Sequence, residues 1–152
     1  MTTVLGDEID VLAKAKRAIA GDYLPSEADE YMSGAQLDYY RRLLQEWKKL
    51  IVSAAQDTLQ QLQDGPIREP DLNDRASSET DWGIELRTRD RQRKLIAKID
   101  SALRRIEEGE YGYCEVTGEP IGLGRLSARP IATMTVEAQE AHERREKISR
   151  DD

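Results

Sequence analysis

The sequence predicts an all-α-dominated protein: a long antiparallel coiled-coil hairpin, followed by a small loop-rich segment and a last helix. Three observations carry this. The 152 residues include no Phe, 5% aromatics and 35% charged residues, with a mean hydropathy of -0.72, which leaves little apolar material for a thick core. Two stretches repeat apolar residues three and four apart, the spacing of a coiled-coil seam. Between them lies only a short link containing Gly65 and Pro66, and short links join antiparallel neighbours.

A first helix is expected over residues 7 to 20, around Ile9, Leu12, Ala13 and Ile19, and is stopped by the run from Gly21 to Pro25. Ser33-Gly34-Ala35-Gln36 then reads as a capping box, in which the Ser hydroxyl and the Gln side chain satisfy amides at a helix start. The seam that follows runs through Leu37, Tyr40, Leu44, Trp47, Ile51, Ala54 and Thr58, and Gly65 with Pro66 ends it. Asp71, Asn73 or Asp74 could cap a second long helix reaching about Gly109. Its seam is expected at Trp82, Leu86, Ile96, Ile99, Leu103 and Ile106, with a wetter stretch from Arg87 to Lys94. Arms of some 35 residues at about 1.5 Å each would be roughly 50 Å long. From Glu110 to Pro130 the chain turns to Gly, Tyr, Pro and Ile, the texture of a small loop or β-hairpin module. Thr135 followed by Glu137 opens a final charged helix to about Ser149.

Composition narrows function before any motif does. A net charge of -7 and a pI near 4.9 oppose the broad positive field on which nonspecific DNA binding depends. One cysteine makes no internal disulfide, the first residues lack the layout of a secretory signal, and no apolar run approaches the ~20 residues of a membrane span. A cytoplasmic chain is the expectation.

A more specific signal lies in the order of short segments between Ala18 and Lys147. These are Glu30-Tyr31-Met32 with Ala35-Gln36-Leu37; Asp71 with Asp74-Arg75-Ala76; Ile84-Glu85-Leu86-Arg87, Arg89-Asp90-Arg91 and Arg93-Lys94-Leu95-Ile96; then Gly112-Tyr113-Cys114, Ile121-Gly122, Arg125-Leu126 and Ala128-Arg129-Pro130. In this order they resemble the DksA/TraR family. That family carries four zinc-binding cysteines between a helical hairpin and a C-terminal helix, and the matching positions here are Cys114, Thr117, Thr135 and Ala138. Tetrahedral zinc wants four N, S or O donors, so this resembles a zinc-free member with a degenerate zinc-ribbon-like segment, and no metal is expected.

The resemblance implies a binding regulator, not an enzyme. Family members insert the hairpin into the secondary channel of bacterial RNA polymerase, destabilise open promoter complexes and act with ppGpp in the stringent response, repressing ribosomal RNA promoters and activating some biosynthetic ones. It points to Asp71, Asp74 and Ala76 as the tip near the polymerase active centre, and to Arg91, Lys94, Leu95, Lys98 and Arg129 as the ppGpp-binding set. Gln139 stands where well-known members carry lysine. Each site also has a plainer reading. Asp71 and Asp74 can simply cap a helix. Arg87, Arg91, Lys94 and Lys98, at steps of four, three and four, share one face that can be a solvated stripe, although such a cluster also suits a polyphosphate. Cys114 reads as a small packing residue, His142 as exposed, and Trp47 with Tyr40 as core.

The chain divides on this reading into residues 1–32, the N-terminal part of a globular domain; the hairpin at 33–109, with its tip at about 66–76; the ribbon-like segment at 110–134; and the last helix at 135–152. A monomer without sequence-specific DNA binding is expected. Two alternatives stand beside it. A Gre-type transcript-cleavage stimulator shares the acidic-tipped hairpin, but an adjacent carboxylate pair is missing here. A coiled-coil scaffold would associate with itself through the seam.

Overall fold

The computed structural model describes the backbone of residues 4–63 and 72–151 and the side chains of residues 10–57, 59–60 and 80–149. Among the described residues five helices follow one another: α1 (Val4–Ala18), α2 (Gly34–Gln63), α3 (Leu72–Glu108), α4 (Leu123–Ala128) and α5 (Val136–Asp151). Strands are absent among the described residues, where β-pairing is confined to one isolated bridge between Tyr113 and Pro120. The chain groups into two compact units, Met1–Ile19 with Gln45–Lys98 and Ala20–Leu44 with Ile99–Asp152, so that α2 and α3 each contribute to both.

In the first unit the described core consists of Leu12 and Ala15 of α1, Trp47 and Ile51 of α2 and Leu95 of α3. This is a thin, aliphatic seam with one large aromatic, as the composition required. Buried residues on α3 across both units are Leu95, Ile99, Ala102 and Ile106, at steps of four, three and four. The expected spacing is present, but its register lies one residue off at two positions: Leu95 and Ala102 are buried where Ile96 and Leu103 were expected, and those two are half-buried. Leu86 is another correction, since its side chain is 55% exposed rather than on the seam.

Among the described residues the second unit buries more side chains. On α2 it buries Gln36, Tyr39, Tyr40, Leu43 and Leu44, a stripe wider than two positions per heptad because the loops after α3 pack on the same unit. Arg41 Nε lies 3.2 Å from Glu107 Oε1, which brings the start of α2 beside the end of α3. The helix start at Ser33 follows the capping logic with a twist. Ser33 Oγ accepts the Gln36 amide at 3.3 Å, but the Gln36 side chain takes the Met32 amide at 2.8 Å and donates to the Ser26 carbonyl at 3.0 Å. Gln36 is therefore fully buried yet satisfied at both ends. Gly109, at φ +76, ends α3, and the amides of Glu110 and Tyr111 return to the Arg105 carbonyl. The expected end of α2 at Gly65 and Pro66 and the cap at Asp71 lie outside the described residues.

Candidate functional site

Three candidate regions follow from the sequence. The first is the hairpin tip. Asp74 and Ala76 belong to α3, near its start, but their side chains lie outside the described residues, as does Asp71 altogether.

The second is the cationic face of α3. Arg87, Arg91, Lys94 and Lys98 are all exposed, which the helical spacing allows because each step returns to the same side. Lys94 Nζ pairs with Asp90 Oδ2 at 3.1 Å one turn earlier, and Arg91 reaches the Thr88 hydroxyl at 3.5 Å. These local partners orient the cations without neutralising the face. Leu95 differs: it is buried in the first unit, so its side chain supports the face from beneath. Arg129 belongs to the second unit, where it is exposed and its amide closes α4 on the Arg125 carbonyl at 2.7 Å. Gln139 bonds Glu143 along α5 at 3.1 Å.

The third is the ribbon-like segment. The Cys114 amide donates to the Glu119 carbonyl at 2.8 Å and the Gly118 amide to the Cys114 carbonyl at 2.9 Å, forming a tight knuckle whose turn uses Gly118 at φ +76. The Glu115 amide donates to the Thr133 carbonyl at 2.8 Å, which brings the loop before α5 against that knuckle. Burial pushes the Cys114 thiol up. Hydrogen bonds from the Thr117 hydroxyl and from the amides of Thr117, Thr135 and Val116 outweigh that and bring it down to about 7. Thr135 Oγ1 is meanwhile engaged as the cap of α5, accepting the Ala138 amide at 3.2 Å.

The donors left in the ribbon do not fit a tetrahedral zinc ion. Cys114 is a single thiolate already surrounded by donors, Thr135 is used as a cap, and Ala138 offers nothing. Among the described residues no group of three or more His, Cys, Asp or Glu could hold a metal.

Side chains supply the cross-links instead. Tyr31 donates its hydroxyl to the Gly112 carbonyl at 2.7 Å and accepts the Gly122 amide at 2.9 Å, joining both ends of the ribbon. Tyr111, buried beside Tyr40, donates to the Pro130 carbonyl at 2.7 Å. Arg105 bonds the carbonyls of Tyr113 and Glu110 at 2.8 and 3.1 Å, and Arg125 bonds that of Met134 at 2.9 Å. None of these four was singled out from sequence. The family-like segments Glu30-Tyr31-Met32 and Arg125-Leu126 contain two of them, but nothing in a linear spacing points from residue 31 to residues 112 and 122.

Comparison with known proteins bears directly on this arrangement. Residues 36–106 match the family described as DnaK suppressor protein DksA, N-terminal domain, and residues 109–144 match the prokaryotic dksA/traR C4-type zinc finger. The RNA polymerase-binding transcription factor DksA of Caulobacter vibrioides is 61% identical over 131 residues, covering 86% of this chain and 92% of that protein. The chain belongs to the DksA/TraR family. The protein of the same description from Escherichia coli K12 is 42% identical over 132 residues, covering 86% of this chain and 87% of its own length. The solved structure of transcription factor DksA2 from Pseudomonas aeruginosa superposes with a TM-score of 0.70 at 39% identity, covering 92% of this chain and 98% of that one. Within the DksA/TraR family, then, this member keeps the C4 zinc-finger segment in sequence position while carrying one cysteine of the four.

Proposed function

We infer that the chain is a transcription regulator of DksA type that binds bacterial RNA polymerase and has no catalytic activity of its own. The observation that carries this is 61% identity, over 92% of its length, to a relative described as an RNA polymerase-binding transcription factor. The geometry suits the role. α2 and α3 are uninterrupted helices of 30 and 37 residues, about 45 and 55 Å long at 1.5 Å per residue. A hairpin of that length can carry a side chain into a channel too narrow for a globular body.

On this reading the hairpin enters the secondary channel, Asp71 and Asp74 bring carboxylates towards the active centre, with Ala76 beside them, and open promoter complexes lose lifetime. Carboxylates held on a rigid arm would meet basic groups there through charge-assisted hydrogen bonds. ppGpp would bind at the junction with polymerase, where Arg91, Lys94, Lys98 and Arg129 supply cations and Leu95 fixes α3 beneath them. If each ligand favours binding of the other, ppGpp and the protein reinforce one another by linkage, so that ribosomal RNA promoters are repressed and some biosynthetic promoters activated. The protein acts as a zinc-free cytoplasmic monomer that recognises polymerase rather than a DNA sequence, which its charge of -7 supports.

The test is the lifetime of open complexes on a ribosomal RNA promoter. Wild-type protein shortens it, Asp74→Ala abolishes the shortening, and ppGpp deepens it. A folded wild-type protein that leaves the lifetime unchanged would falsify the reading.

A further inference from the structure

Among the described residues Met32 is the one residue other than glycine with a positive φ, at 54°. The left-handed region crowds a Cβ against the backbone, so a methionine stays there only where its surroundings hold it. Two contacts do so. The Met32 amide donates to Gln36 Oε1 at 2.8 Å, and the Met32 thioether packs on Gly112, where a Cβ would lie 2.7, 2.8 and 3.2 Å from Sδ, Cγ and Cε of Met32. The sulfur therefore fills the space that any other residue at position 112 would need.

Gly112 is also where the ribbon closes. Its carbonyl accepts the Tyr31 hydroxyl at 2.7 Å and the Ile121 amide at 2.8 Å, and the same hydroxyl accepts the Gly122 amide at 2.9 Å. All of these residues belong to the second unit. The contact is apolar, with a constrained backbone on one side and the ribbon's closing bonds on the other, so it is sensitive to any change in the polarity of Sδ. Met32 is half-buried rather than sealed, and a small oxidant can reach it in the folded chain.

We propose that Met32 is an oxidation site through which a hydroperoxide loosens the ribbon. A sulfur lone pair attacks one peroxide oxygen and forms the S–O bond. The O–O bond breaks, and the departing oxygen keeps the bonding pair, takes the proton of the transferred oxygen and leaves as water or an alcohol. Sulfur loses two electrons and the peroxide gains them. The sulfoxide is polar and draws the side chain towards water and away from Gly112. The left-handed turn at Met32 then loses one of its two restraints, and the Gly112 carbonyl loses its fixed place between Tyr31 and Ile121. Two electrons from a reductase dithiol remove the oxygen as water and restore the contact. The step uses no thiol of this chain, so Cys114 takes no part in it.

The experiment treats the full-length protein, as wild type and as Cys114→Ser, with hydrogen peroxide. Peptide mass spectrometry locates the sulfoxide, while melting temperature and amide hydrogen exchange follow its effect. Sulfoxide at Met32 is expected to lower the melting temperature by about 3–8 °C in both proteins, in proportion to the fraction oxidised. Exchange of the Ile121 and Gly122 amides should quicken roughly tenfold while amides in the middle of α3 keep their rate. Methionine sulfoxide reductases of both stereochemical classes restore both readings. Met32→Leu keeps the bulk and should be indifferent to peroxide, Met32→Gln is polar from the start and should reproduce the oxidised state without it, and Met134→Leu should respond as wild type does. Oxidation confined to Met134 or Cys114, sulfoxide at Met32 with unchanged exchange at Ile121 and Gly122, or protection by Met134→Leu overturns the proposal. Should Met32→Leu fail to fold, the proportionality in wild type and its reversal by the reductases still decide between these outcomes.

Discussion

The ribbon segment and the upper arm of α3 solve opposite problems. The ribbon between Glu110 and Thr135 is small and loop-rich, yet its carbonyls and amides are tied across long stretches of sequence: Tyr31, from outside it, reaches Gly112 and Gly122, and Tyr111 spans it to Pro130. The arm from Ile84 to Lys94 is regular helix, and among the described residues it forms side-chain bonds within that helix: Thr88 to the Ile84 carbonyl, Arg91 to Thr88 and Lys94 to Asp90. One region is held by long-range contacts where its relatives' family description implies a metal. The other satisfies its backbone locally, so its outer side chains remain available to a partner.

Two glycines put that contrast to its strongest test, because the same substitution should have opposite signs. Gly112 has φ +91, and a Cβ there would lie 2.7 Å from Met32 Sδ. Gly112→Ala therefore combines backbone strain with overpacking and is expected to cost about 2–5 kcal/mol. Gly83 is helical, and among the described residues its Cβ would meet Arg87 Nη2 alone, at 3.8 Å. Gly83→Ala is expected to stabilise by about 0.4–1 kcal/mol through the lower entropy of the unfolded chain. Urea denaturation followed by circular dichroism reads both, and two changes of equal sign would break the comparison.

A smaller loss is expected from Tyr31→Phe, which keeps the ring stacked edge-on against Tyr113 at 5.6 Å but removes the hydroxyl that serves two backbone groups. With both groups part-buried, the cost should be about 1–3 kcal/mol. Thr88→Val on the exposed arm, the matching removal of a hydroxyl, should stay within about 0.5 kcal/mol. Comparable losses at the two sites would mean that the ribbon does not depend on the Tyr31 bridge.

Cys114 gives the ribbon a pH dependence. Its thiol lies near 9.0 in the unfolded chain and is brought down to about 7 in the fold. A depressed pKa contributes stability above the unfolded value, and that stability is lost as pH falls through the folded one. Wild type should thus lose stability between pH 9 and pH 6 relative to Cys114→Ser, in which the titrating group is gone. Parallel melting-temperature profiles for the two proteins would show that the thiolate and its donors are not stabilising the knuckle.

How much of this could be read from the sequence follows the range of the contacts involved. The hairpin was legible because three-four spacing is a local signal repeated over two long helices, as were the Gly109 stop and the Thr135 cap. Register was harder. Leu95 and Ile96, or Ala102 and Leu103, are adjacent apolar pairs, and which member faces inwards depends on the neighbouring helix. Leu86 satisfied the spacing and still lies outside, since a local pattern does not show which side of the helix its neighbours cover. The short helix α4 was missed because Gly122-Leu123-Gly124 reads as loop. Of the candidate site, the exposed cations followed from helical geometry. The Tyr31 bridge did not, because contacts spanning 81 and 91 residues leave no periodic trace.

The smallest expected effect tests the other half of the contrast, that local pairing contributes little to holding the arm. Asp90 and Lys94 form an i,i+4 pair with side chains 54% and 71% exposed. An acidic residue four before a basic one is the favourable orientation on a helix, worth about 0.3–0.5 kcal/mol at low salt and less when ions screen it. Asp90→Asn should lower the melting temperature by no more than about 2 °C, and the difference should disappear in 1 M salt. The same substitution releases Lys94 and makes the cationic face more positive, so affinity for ppGpp should rise slightly while stability falls. A loss as large as that of Tyr31→Phe, or one insensitive to salt, would mean that the arm is fixed by this pair as firmly as the ribbon by its tyrosine, and the division between a bound scaffold and an available arm would fail.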